Sequence, residues 1–334
     1  MTAPKKRPFP KRPAGSDRQK SAQKPSPKNF PKPNPKNSQE AHKQAPKRPA
    51  VERAFKSSRE KDGSNPDLIL GFNPVRAALM ARPQDALKLY VSESRRESKE
   101  LIEILGLAAQ LDLELNFAKR DRLDGFGERH QGLVLLAKTK AEPSLGEFLK
   151  TCPMGAPGLI VFLDHLEDPH NFGALIRSAA AFGALGVVYP KDRSAPLNPY
   201  AKMASAGASE VLPLIKVVNP ARAVLEMKSQ GFWVVAAEAG LGQDVLGFDF
   251  PSRTVLVLGS EGHGLSRSLL AQADHLVHIN LPSPLIGSLN VSNAGAIFIH
   301  AYGASQARLA GPASQANPAQ KTGPARRSWK NPKI

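Results

Sequence analysis

Cysteine is almost missing from this chain of 334 residues, with Cys152 as its single representative. One thiol excludes an internal disulfide and any multi-cysteine zinc site. Followed by proline and with no histidine partner nearby, it reads as incidental rather than catalytic. Long apolar runs are missing too. No stretch of 18 apolar residues could cross a membrane, and the start has no short apolar signal core. Acidic residues are scarce at both ends. Residues 1–66 hold 18 Lys or Arg against 5 acidic groups, and residues 306–334 hold 6 basic groups and no acidic one.

Residues 1–66 also contain 12 prolines and three aromatics. Such a segment cannot bury enough apolar area to offset ordering entropy, so disordered basic tails are expected at 1–66 and 306–334. Its proline density rules out the amphipathic helix of an organelle transit peptide, which leaves the cytoplasm as the expected location. The formal charge of +17 therefore belongs to the tails, because residues 67–305 carry 22 basic and 24 acidic groups. Basic tails favour a polyanion, most simply a nucleic acid, through counterion release; their plainer role is to solubilise the ends.

The length allows two modest domains. Residues 67–140 read as a small α/β unit. Leu68–Leu79 is a strand, a turn and a helix; strands follow at Ala86–Val91, Leu113–Phe117 and Gly132–Leu136, with a helix over Glu97–Gln110. Its polar loop Gly125–Gly132 carries His130 and Gln131, which could contact a ligand; capping of neighbouring backbone groups is the equally weighted alternative. Residues 141–157 suit a linker with one helical turn near Leu145–Leu149. From Gly158 to residue 305 strands alternate with helices. Strands are expected at Leu159–Leu163, Gly186–Tyr189, Val211–Ile215, Phe232–Ala236, Thr254–Leu258 and His275–Ile279. That alternation predicts a mostly parallel sheet covered on both faces, with ligands at the carboxyl ends of the strands.

Three segments carry polar groups that a fold alone does not need. Asp164–Gly173 follows the first of these strands, and Asp168 or Asn171 could cap the helix beyond it. Within that helix Arg177 is surrounded by Ala, Leu and Ile, and needs a carboxylate, a phosphate or an interface to face. Gly259-Ser-Glu-Gly-His-Gly264 follows Leu258 but matches neither the dinucleotide fingerprint nor the phosphate-loop pattern. Glu261 could accept from a ribose hydroxyl, order an arginine, or simply stabilise a helix start at Leu265. In Leu281–Asn293, Ser288 suits the N-cap of the final helix, with Asn290 and Asn293 beside it.

In this order and at these separations, Asp168-Pro-His-Asn-Phe-Gly-Ala-Leu-Ile-Arg177, Leu258-Gly-Ser-Glu-Gly-His-Gly264 and Ser288-Leu-Asn-Val-Ser292 resemble the three motifs of the SpoU/TrmH RNA 2′-O-ribose methyltransferases. Leu70–Leu79 and His130-Gln-Gly132 resemble that family's small N-terminal RNA-binding domain, which makes Arg76, Arg129, His130 and Gln131, together with Arg177, candidate RNA contacts. The resemblance covers roughly residues 68–305.

It implies an α/β fold with a trefoil-knotted C-terminal domain, joined to a ribosomal-protein-L30e-like α/β domain. It further implies a homodimer and S-adenosylmethionine as methyl donor, with no metal and no membrane. Arg177, Glu261 and Asn290 match the motif residues tied to catalysis, and Asn171 and Ser288 match further active-site positions. Leu258, Gly259, Ile279, Ser288 and Leu289 match cofactor contacts. The segment Ile279–Gly287 lacks the family's Ile-Pro-Met, and aligning on Pro282 puts Leu281 in the contact role instead. The two-domain layout looks like the type acting on a guanosine of 23S rRNA. The alternatives are a transfer-RNA ribose methyltransferase and a non-catalytic RNA-binding assembly protein.

Overall fold

The computed structural model describes residues 66–311, apart from 128, 193, 196, 261, 263, 284 and 286. Most of both expected tails, and Glu261, lie outside the described residues.

The small domain is built from β1 (Asp67–Leu70), α1 (Phe72–Ala81), β2 (Ala86–Ser92), α2 (Lys99–Gln110), β3 (Leu115–Ala118), α3 (Arg120–Asp124) and β4 (Leu133–Ala137). Its four strands lie in the order β1-β4-β2-β3, with only the β2–β3 pair parallel. Ser98 starts α2 by accepting from Leu101 N, and Leu101, Ile104 and Ala108 then fall on one buried face at helical spacing.

The larger domain begins earlier than its first strand. The expected linker contains α4 (Leu145–Thr151), opened by a capping box in which Ser144 and Glu147 satisfy each other's backbone N–H. Leu145, Phe148 and Leu149 join the core, so this segment is packed structure. There follow β5 (Gly158–Leu163), α5 (Pro169–Ala181), β6 (Gly186–Pro190), α6 (Pro199–Ala204), α7 (Ala208–Val211), β7 (Leu214–Val217), α8 (Pro220–Ser229), β8 (Trp233–Ala237), β9 (Gln243–Asp244), β10 (Arg253–Leu258), α9 (Arg267–Leu270), β11 (His275–His278) and α10 (Val291–Leu309). The strand expected at Val211–Ile215 starts only at Leu214, because Ala208–Val211 is helical. The final helix runs to Leu309, beyond the 305 boundary expected from composition.

Seven strands form one sheet in the order β7-β6-β5-β10-β8-β11-β9, and every neighbouring pair is parallel. Alternate residues of β5 enter opposite cores. Leu159, Val161 and Leu163 pack with α5 and α10, while Ile160 and Phe162 pack with α4 and α8. Two helical glycines set the spacing of the first layer. A Cβ on Gly173 of α5 would lie 2.4 Å from Ala201 O in α6, and one on Gly295 of α10 would lie 2.2 Å from a Leu175 methyl in α5. Both positions need the missing side chain for close helix approach.

A buried ionic cluster fastens the small domain to the large one. Arg82, at the end of α1, pairs with Glu210 of α7 at 2.8 Å and donates to Lys138 O at 2.6 Å. Lys202 of α6 reaches Asp67 of β1 at 2.7 Å. Lys140 Nζ donates to the carbonyls of Ser209, Glu210 and Leu212 at 2.8–3.1 Å, closing the C-terminal end of α7. Burial pulls its ammonium down to about 8, against the raising influence of Glu210.

Candidate active site

The informative segments meet at the carboxyl ends of β5, β8, β10 and β11. After β10 the chain returns so that Gly264 meets Ser260. Gly264 N donates to Ser260 O at 3.0 Å, and a Cβ on Gly259 would lie 2.4 Å from the Gly264 carbonyl, so only glycine fits there. Asp164, fully buried after β5, accepts from Ser266 N at 2.8 Å through Oδ2, while its own N–H donates to Leu258 O at 2.8 Å. Those bonds tie the first motif to the second.

The third motif is tied to the first by side chains. Asn290 Nδ2 donates to Asn171 Oδ1 at 3.0 Å, and Asn290 Oδ1 accepts from Ser292 N at 3.0 Å. Asn290 is therefore the N-cap of α10, a role expected of Ser288 from the chain alone. Asp168 caps α5 by accepting from His170 N and Asn171 N, which orients the turn that presents Asn171. Arg177 stands exposed on α5, six residues or roughly 9 Å of helix rise beyond Asn171.

A cavity of about 530 Å³ opens between the second and third segments, and neither Asn171 nor Arg177 is among its lining residues. Leu258, Gly259, Ile279, Leu281, Ser288 and Leu289 all line it, so both candidates in the divergent 279–287 segment face the same space. Asn290 sits between two lining residues, Leu289 and Val291. Several polar contributors have no role in the sequence reading, among them Glu238 just after β8, Ser260 and His278. A signal for Glu238 does exist, as a carboxylate at the carboxyl end of a parallel strand. Ser260 Oγ is a buried hydroxyl with no partner among the described residues.

On the small domain, three of the four expected RNA contacts have structural employment. His130 is buried; its Nδ1 accepts from Gly132 N at 2.9 Å and its Nε2 faces Asp124 at 2.9 Å, so it holds the loop, and with Gln131 it also lines a cleft. Gln131 Oε1 accepts from Phe72 N at 3.2 Å at the start of α1, and Arg76 pairs with Glu103 at 2.6 Å. Arg129, held at φ +64°, does line a cleft of about 490 Å³. Arg95, Arg96 and Arg120 line it too, and sequence reading misses all three. Arg95 also lies 4.3 Å above the Phe72 ring, a cation–π stack that fixes its guanidinium at the cleft.

Residues 158–300 match the model of the SpoU rRNA Methylase family, and residues 68–143 match the RNA 2′-O ribose methyltransferase substrate-binding domain. The chain belongs to the SpoU family. Its similarity extends over both domains of curated relatives. The 23S rRNA (guanosine-2′-O-)-methyltransferase RlmB of Neisseria meningitidis is 35% identical, over 67% of this chain and 89% of the relative. The enzyme of the same name from Pseudomonas putida is 36% identical, over 68% of this chain and 91% of the relative. Among solved structures, the SpoU methyltransferase AviRb of Streptomyces viridochromogenes, in complex with AdoMet, superposes with a TM-score of 0.62 at 25% identity, covering 75% of this chain and 93% of that one. The SpoU match also gives the small arginine-lined domain its family role, substrate binding.

Proposed function

We infer that this SpoU-family chain is an S-adenosylmethionine-dependent 2′-O-methyltransferase acting on a guanosine ribose of 23S rRNA. The observation that carries the reading is the convergence of the second and third motifs on one cavity, with the first motif tied to them by the Asn290–Asn171 hydrogen bond. The printed activity of the curated relatives supplies the substrate.

The residues present fit the methyl donor. Lys and Arg are absent from the cavity's described lining, which suits a cofactor that carries a sulfonium and an ammonium against one carboxylate. The unpartnered Ser260 hydroxyl and the carboxylate of Glu238 leave polar capacity for an adenosine moiety, beside apolar walls from Leu258, Ile279 and Leu289. When bound, S-adenosylmethionine supplies a methyl group on a positively charged leaving sulfur, so the protein's task is positioning.

Arg177 holds the phosphate next to the target ribose. Its planar guanidinium offers donors and no acceptor, which makes it a clamp rather than the base. Asn290 orients the attacking 2′-oxygen, and Asn171 fixes the Asn290 amide by accepting from it. Glu261 steers Arg177 or the ribose, and Ser288 lines the entrance. A 2′-hydroxyl target requires RNA. The cleft of Arg95, Arg96, Arg120 and Arg129 grips the surrounding phosphates, supplemented by the basic tails. The reading includes an L30e-like small domain, a trefoil knot around β10 and β11, a cytoplasmic location and a homodimer. Exposed Phe182 after α5, in edge contact with His300, and Ile297 of α10 give that dimer a partly apolar surface.

Radiolabelled methyl transfer to total ribosomal and transfer RNA, followed by mapping of the modified ribose, tests the reading. The expected product is one 2′-O-methylguanosine in 23S rRNA. Label in transfer RNA alone moves the substrate to that pool, and no label in either overturns the enzyme reading. Arg177→Ala is expected to abolish transfer while leaving cofactor affinity within about twofold, since an exposed side chain contributes little to folding.

A further inference from the structure

Glu238 has no place in the three motifs. It is the first residue after β8, half-buried, and its carboxylate faces the cavity across the 259–264 turn. A Cβ on Gly264 would stand 3.1 Å from Glu238 Oε1, which fixes the carboxylate against the backbone of the second motif. An ionised carboxylate offers about four acceptor positions. Within the protein Glu238 uses its oxygens poorly: Leu265 N reaches Oε2 only at 3.5 Å, at the outer limit of a hydrogen bond. No ion pair involves it among the described residues. The cavity's other titratable side chain, His278, turns Nδ1 toward Leu241 O at 3.2 Å. A half-buried carboxylate with spare acceptors and no cation calls for donors from a ligand.

The chemistry of that ligand follows from where the carboxylate stands. Open parallel α/β sheets bind ligands outside the carboxyl ends of their strands, and in the dinucleotide-binding ones an acidic side chain there accepts from a ribose hydroxyl. The apolar walls from Leu258, Ile279 and Leu289 would take a flat base, and Glu238 lies on the same rim as Ser260. We propose that Glu238 accepts hydrogen bonds from the 2′- and 3′-hydroxyls of the methyl donor's adenosine, and so selects ribonucleoside cofactors. The proposal rests on the S-adenosylmethionine reading above and adds to it a residue outside the three motifs.

Calorimetric titration of the full chain with three probes tests it: S-adenosylmethionine, S-adenosylhomocysteine and 5′-methylthioadenosine. The last keeps the ribose and lacks the amino-acid ammonium. Glu238→Ala is expected to weaken all three by a similar factor of about 10 to 100, the worth of a charge-assisted hydrogen bond. Glu238→Gln, which keeps one acceptor, should fall between the two and retain the wild-type Tm, guarding against a folding artefact. Unchanged affinities in both variants overturn the proposal. So does weakening for the first two probes with 5′-methylthioadenosine spared, because the carboxylate then meets the ammonium instead. Failure of the wild type to bind any probe removes the methyl-donor reading itself, a different outcome from failure of Glu238 alone.

Discussion

Asn290 and Asn171 stand 119 residues apart in sequence and share a hydrogen bond of 3.0 Å, in which the Asn290 amide donates to the Asn171 carbonyl oxygen. Because Asn290 Oδ1 simultaneously caps α10, one side chain has a folding duty and a site duty on opposite ends of the same amide. Substitutions can separate them. Asn290→Asp keeps the capping oxygen but loses the donor, and is expected to retain Tm while losing methyl transfer. Asn290→Ala should lose activity and also about 1 kcal/mol of stability, the ordinary worth of an N-cap. Paired thermal melts and transfer assays check this; equal stability of the two variants contradicts the capping role.

Gly173 gives a purely steric prediction. The Cβ of Gly173→Ala would fall 2.4 Å from Ala201 O and 2.7 Å from Ala204 Cβ. Neither neighbour can swing away, as both belong to α6. A loss of about 1–3 kcal/mol or more in urea unfolding is expected, well beyond the gain alanine gives an unobstructed helix.

Lys140 makes stability depend on alkaline pH. Its folded value of about 8 lies below the ordinary 10.5. Across that window the unfolded chain therefore binds more protons than the folded one, and this group's contribution makes stability rise with pH. Relative to Lys140→Met, the wild type should gain up to about 3 kcal/mol between the two values. The variant should be weaker throughout, since it strands the Ser209, Glu210 and Leu212 carbonyls. Denaturant titrations of both proteins across pH 7.5 to about 10.5 measure the difference directly, and parallel curves contradict the assignment.

The arginine cleft predicts a salt signature. Arg95→Ala, Arg96→Ala and Arg129→Ala should each weaken binding of an rRNA fragment. Each should also lower the slope of log affinity against log salt by about 0.7–0.9 for every phosphate that is no longer neutralised. Cofactor affinity should stay unchanged. His130→Ala should behave differently: it removes the support of the loop, so lower stability is expected to accompany weaker binding. Equal slopes for wild type and all three arginine variants would place the RNA elsewhere.

What can be read in advance follows from how locally each feature is encoded. The glycines and asparagines of the three motifs are legible because their loops demand those residues within a few positions. The parallel sheet is legible from apolar runs separated by helical spacing. The α6–α7 stretch is not, since Pro199–Val211 is rich in Ala and Ser and shows no clear period. The loop-holding duty of His130 is not legible, because its partner Asp124 belongs to a separate helical turn and a sequence does not say which way a loop imidazole points. Ser288 competes with Asn290 as a cap for a similar reason: either residue type serves, and the choice depends on where the chain bends. Arg95, Arg96, Arg120 and Glu238 carry no motif at all. Their meaning lies in cavities assembled by distant strands.

The cluster of Arg82, Glu210, Lys202, Asp67 and Lys140 has a consequence for the substrate rather than for the protein alone. It fastens the arginine cleft and the methyl-donor cavity to one frame, so the span from grip to reaction point is a fixed gauge. If the cleft grips RNA as proposed, an RNA is accepted when its own fold brings the target ribose to that span, and selection of one nucleotide among thousands becomes a matter of reach, set by charges that line neither the cleft nor the cavity.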